Sequence, residues 1–171
     1  MRSLALPVLP RAESVALLRR FRGDLTEGDP VLDAIAGELG DLPLALHLAG
    51  NFLNTYRHDV TPAGYLTQLR APDLLAHRSL VRGDRSPTEH ETHVGRTFAL
   101  SFDRLDGSDV VDGLALALLA RLACFAPGER VPRRLLLLTV ERDVDGPDYE
   151  AADALRRLAG WGLVGRQEDG A

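Results

Sequence analysis

A chain of 171 residues that is 45% hydrophobic and 26% charged has the balance of a folded protein of one or two small domains. Its net charge of −5 and pI near 5.5 argue against a general nucleic-acid or anionic-membrane footprint. All 20 basic residues are arginine, so the sequence can build neither a P-loop, which needs a lysine on the phosphates, nor a Schiff base.

With aromatics at 5%, the core must come from Leu, Ala and Val, a composition that favours helices. Ser3–Leu9 is apolar and held extended by its prolines, as a strand end or a strap onto a missing partner. From Pro10 a helix is expected, with Val15, Leu17, Leu18 and Phe21 on one face. Arg19, Arg20 and Arg22 form the other, near the C-terminus, where the helix dipole favours cations. Pro30 opens a second helix with apolar residues at Val31, Leu32, Ile35 and Leu39. Gly40 and Asp41 close it, and Pro43 falls in the first turn of the next helix, where its fixed φ fits and its missing N–H costs nothing. By spacing alone this sharp elbow is a packing corner in a helical bundle. Leu44–Arg57 is apolar almost all round and should be central to that bundle. Thr61-Pro62 is a cap and first residue for a short helix carrying Tyr65, Leu66 and Leu69. Pro72–Leu80 reads as another short helix. Val81–His90 is polar, with Gly and Pro, and makes a linker.

The second half restarts with a helix from about His93, with Val94, Thr97, Phe98, Ser101 and Leu105 on one face. Ser108 is placed to cap the following helix, Val110–Phe125, the core helix of this half. Its Cys124 reads as a small buried hydrophobe in a reducing compartment. A third helix runs from Val131-Pro132 to Leu138 and a fourth from Asp148 to Gly160. Gly162–Arg166 then reads as a short strand and Gln167–Gly170 as a turn. The fold expected is mainly α: a helical domain with its strap over 1–82, a linker over 83–92, and over 93–171 a winged-helix-like domain cut after its first wing strand. No apolar run reaches the roughly 18 residues of a membrane helix, and Met1–Pro10 is too short for a secretory leader, so a cytoplasmic protein is expected.

Leu39-Gly40-Asp41-Leu42-Pro43-Leu44-Ala45-Leu46 resembles the GLPLAL motif of NB-ARC proteins, members of the STAND class of nucleotide-operated switches. Asp41, not glycine, directly precedes Leu42, with the glycine one place earlier. Phe98–Leu105 is similar to the LSFDRL segment that follows the helical domain in bacterial members, and Leu118–Pro127 resembles their next core helix. Val131-Pro132 with Leu135-Leu136 is similar to the short helix after that. The resemblance implies the helical and winged-helix part of such a switch, non-catalytic by itself, regulating signal transduction. It implies ADP or ATP as cofactor, held only together with the P-loop domain that is missing here. Pro43 corresponds to the family proline that packs on the ADP base; Leu44 beside it and His47, one helical turn on, complete the candidate contacts. The partners implied are an upstream ATPase core and a downstream repeat or effector domain, with oligomerisation on activation. The competing expectation is a helical or winged-helix interaction or transcription-regulator module that binds no nucleotide.

Other chemistry is poorly served. His90-Glu91-Thr92-His93 has its histidines three apart, where a zincin needs four, so no metal site is assigned. His58-Asp59 and His77 are expected in solvent. Ser101 is expected as a buried hydroxyl bonded to its own helix backbone. The acids of Asp143–Asp153 complement a helix N-terminus and need no catalytic role. A recognition helix beginning Asp148-Tyr149-Glu150 would repel phosphate, so direct nucleic-acid binding is not expected.

Overall fold

Proline and acidic residues mark where the helices start. In the computed structural model, which describes residues 8–71, 89–126, 129–142 and 146–165, eight helices are present. They are α1 (Arg11–Phe21), α2 (Pro30–Glu38), α3 (Pro43–Thr55), α4 (Pro62–Leu69), α5 (Glu89–Phe102), α6 (Val110–Leu122), α7 (Arg133–Leu138) and α8 (Tyr149–Gly160). Three have proline at their first position. Side-chain caps satisfy N–H groups that the first turn leaves open: Val31 N donates to Asp29, Gly64 N to Thr61 and Ala151 N to Asp148. The cap of α6 is Asp109, which accepts from Val111 N and Asp112 N, not Ser108 as the sequence suggested. Ser108 instead hydrogen-bonds to Asp106. The architecture is mainly α, and no described helix is long and apolar enough to cross a membrane.

The chain divides into two units, Met1–Phe102 and Asp103–Ala171. The sequence places the division within 83–92, of which 83–88 lie outside the described residues; the expected helix Pro72–Leu80 lies outside them too. Helix α5 belongs to the first unit because its buried side, with Thr97, Ala99, Leu100 and Ser101, goes with packing onto α3. In that unit α3 is central, packed by α1 and α5, while α2 packs on α1 and α4. Its apolar residues are buried as expected: Ala45, Leu46, Leu48, Ala49, Phe52 and Leu53. Gly50 lets α1 come close, since a Cβ there would lie 2.3 Å from Phe21 Cδ2. Glu38 of α2 accepts from Arg70 after α4 and from Arg96 of α5, 3.0 Å each.

In the second unit α6 packs on α8 and α7. Small residues of α8, Ala151 and Ala154, are fully buried with Leu158 one turn on. Only Asp112, Ala115 and Leu118 of α6 are buried, so this core helix of the half buries a single face. Cys124 is exposed, contrary to expectation, because it lies in the turn beyond the last residue of α6.

The expected strand from Gly162 is absent from the described residues. Gly162 (φ 72°) and Leu163 instead close α8: Gly162 N donates to Ala159 O and Leu163 N to Leu158 O, both at 3.0 Å. That pair of bonds is a Schellman closure, which takes the backbone groups a strand ladder would need. Arg166 and the turn Gln167–Gly170 lie outside the described residues.

Candidate functional site

The α2–α3 elbow is built by the same closure. Gly40 N donates to Gly37 O and Asp41 N to Ala36 O, each at 3.0 Å, which satisfies carbonyls the helix end leaves open. Both residues are left-handed, with φ 61° at Gly40 and φ 54° at Asp41. Glycine takes this conformation freely and aspartate is among the residues that tolerate it. Leu42 is then extended and Pro43 starts α3, so the elbow is as the sequence predicts.

Asp41 is held from outside the elbow. Arg11 donates Nε to Oδ1 and Nη2 to Oδ2, both at 2.8 Å, the two-pronged geometry that suits guanidinium and carboxylate. Leu9 N donates to the Asp41 carbonyl at 2.9 Å, so the end of the expected strap does dock on the elbow; residues 3–7 lie outside the described residues. The bonds from Arg11 hold the Asp41 carboxyl below its usual range against the opposing effect of burial.

The three candidate contacts share one exposed side of α3. Pro43 and His47 are exposed and Leu44 is 56% exposed, while Ala45, Leu46, Leu48 and Ala49 face the core. Residues one turn apart on a helix are neighbours, so Pro43 and His47 sit one above the other. The His47 ring meets Phe21 edge to face, with centroids 5.1 Å apart. The face thus offers a proline ring, a leucine and an imidazole, surfaces suited to the flat side of a heteroaromatic base. Arg11, at the same elbow, is bound to Asp41 and Asp33.

Sequence reasoning missed the polar cluster at the other end of α3. Arg22, expected on the polar face of α1, is only 6% exposed. Its Nη1 donates to the Leu53 carbonyl at 2.9 Å, and its Nε and Nη2 grip Asp24 at 2.8 Å each. That pairing draws the Asp24 carboxyl down to about 2. Nothing in the helical period of α1 announces this, because Arg22 lies just past the last turn and its direction follows the loop. Together with Phe21, Asn54, Arg57 and His58 these residues line an open cleft of about 340 Å³. A second cleft, in the other unit, lies along Glu141, Arg142 and Pro147–Glu150. Its Arg142 is held by Asp148 and Glu150. Neither cleft includes Pro43, Leu44 or His47. Ser101 is buried, but its hydroxyl has no hydrogen-bond partner, unlike Thr97, which bonds the His93 and Val94 carbonyls. Among the described residues no group of three or more His, Cys, Asp or Glu is placed to hold a metal ion.

No protein-family model, no curated protein and no solved structure matches this chain.

Proposed function

We propose that this chain is the non-catalytic, ADP-contacting part of an NB-ARC/STAND-type signal-transduction switch. The observation that carries the reading is the elbow: a sequence similar to the GLPLAL motif forms a closed helix end followed by Pro43 at the start of α3, with its side exposed beside Leu44 and His47. The motif has glycine where this chain has Asp41, and that residue takes the left-handed φ that glycine favours. Pro43, Leu44 and His47 would hold the base of the nucleotide, and its phosphates would be held by an upstream P-loop domain. The nucleotide would supply binding energy that differs between two domain arrangements, and such a difference is what shifts their populations. The second unit is read as the start of a winged helix, supported by the order α6, α7 and α8. Its α8 bears Asp148 and Glu150 at the N-terminal end and commits Arg157 to Asp112, which suits packing rather than DNA.

The test is ADP titration of the chain joined to its upstream neighbour, with Pro43→Ala as the comparison. Loss of one well-packed contact on the base should weaken ADP binding about three- to tenfold. Unchanged affinity would remove Pro43 from the site and favour a helical interaction module, for which exposed Leu44 would be an equally good contact. The chain alone should bind nucleotide weakly or not at all, and tight Mg-dependent ATP binding by it would overturn the reading. Upstream coding sequence gives a second check: a lysine-containing P-loop in frame is expected, and continuous unrelated sequence would sink the family assignment.

A further inference from the structure

Arg11 bridges Asp33 of α2 and Asp41 of the elbow. Beyond its two bonds to Asp41 at the helix end, its Nη1 donates to the carbonyl and the carboxylate of Asp33 in the first turn, at 3.1 and 3.2 Å. Gly37 makes room for the guanidinium: a Cβ there would lie 3.2 Å from Nη1. Leu9, two residues before Arg11, adds the bond to the Asp41 carbonyl. Two residues, Leu9 and Arg11, therefore supply these bonds to Asp41, about thirty positions away in sequence. Asp41 is also the elbow residue whose conformation most needs support, because a side chain is disfavoured at φ 54°. Two residues later comes Pro43.

We propose that Leu9 and Arg11 form a latch on Asp41 through which the chain from Leu9 into the first turn of α1 sets the Pro43, Leu44 and His47 face. A displacement of that segment withdraws both the guanidinium fork and the Leu9 N–H from Asp41. The elbow then relaxes toward the right-handed conformations that aspartate prefers, and the start of α3 turns with it. This rests on the reading of the face as the nucleotide contact: it adds an input that controls that contact.

The latch itself is read without nucleotide, by NMR on the full chain. In Arg11→Ala, the Leu9 amide should exchange with solvent faster and the Leu44 methyl and His47 ring signals should shift. In Asp41→Gly, glycine takes the left-handed conformation unaided, so those two signals should stay at their wild-type positions, and adding Arg11→Ala should move them no further. Unmoved signals in Arg11→Ala, or equal shifts in both backgrounds, would overturn the latch. Core amides of Leu18 and Leu53 report whether the unit is folded. If Arg11→Ala loses their protection, Arg11→Lys, which keeps a charge and loses the fork, should give smaller shifts in the same direction, and no shift would overturn the latch.

With the upstream domain attached, Arg11→Ala should weaken ADP binding by up to about fivefold, the range of an exposed ion pair. If Pro43→Ala weakens ADP binding and Arg11→Ala does not, the latch is no regulator. If Pro43→Ala has no effect, the face is no nucleotide contact, and the NMR readout of the latch is unaffected by that failure.

Discussion

Tyr65 is fully buried against Phe52, with ring centroids 5.1 Å apart, and its hydroxyl has no hydrogen-bond partner. Burial drives its ionisation well above the ordinary tyrosine range, so the hydroxyl stays neutral. A buried polar atom without a partner has lost its bonds to water and gained nothing in exchange. Tyr65→Phe should therefore leave stability unchanged or raise it by up to about 1 kcal/mol, read as the midpoint of urea unfolding. Tyr65→Ala, which empties the site, should cost about 3–5 kcal/mol. A loss above about 1 kcal/mol in Tyr65→Phe would mean that the hydroxyl is bonded after all. Ser101, buried and similarly unpartnered, should respond to Ser101→Ala in the same direction. The residue scale is also where sequence reasoning departs from the structure: Arg22 is buried and Cys124 exposed, against expectation, and Ser101 is buried as expected but lacks the expected backbone bond. All three depend on what lies beside them, which periodicity does not report.

At the scale of the element, the helices are set by local chemistry and their spacing by small residues. Gly50 marks a close approach of α1 to α3, because a Cβ there would overlap the Phe21 ring. Gly50→Ala must move that ring, which also meets His47. Overpacking of this kind costs about 1–3 kcal/mol, so the thermal midpoint should fall although alanine is the better helix former. Phe21→Leu in the same chain should recover part of the loss; no recovery would place the strain elsewhere. Helix ends recur in one form. Gly40 with Asp41, Glu141 (φ 57°) and Gly162 all close a helix in the left-handed region. Two of the three were legible as glycines near a helix end; Glu141 carried no such signal. At Gly162 the same rule was present in the sequence, but the following Leu-Val suggested a strand.

Across the whole molecule, each unit is tied by arginine–carboxylate pairs between elements or around loops, as expected of an arginine-only set of cations. Arg22 holds Asp24, Arg11 holds Asp41 and Arg142 holds Asp148; the Asp24 and Asp148 carboxyls fall from an ordinary 3.8 to about 2. A carboxyl whose pKa is lower folded than unfolded binds fewer protons when folded, so its contribution is present above the unfolded value and lost as pH falls. Stability should be flat in this respect from neutrality to about pH 5, then fall through pH 4 toward pH 2. Asp148→Asn should lower neutral stability and shallow the acid slope, measured as urea midpoints across that range. An unchanged slope would show that this pair does not contribute. Sequence by itself determined that the protein is mainly helical, where the helices opened by a proline or an acidic cap begin, and that the α2–α3 elbow exists, because prolines, caps and glycines act on their immediate neighbours. Only the tertiary structure decided that α5 packs with the first unit, that α6 buries a single face, and that Arg11 reaches Asp41 across α2. Those depend on which surfaces meet between residues far apart in the chain. The elbow was readable from the consecutive residues Leu39 to Leu46; the contacts that hold its Asp41 in place come from a segment that only folding brings beside it.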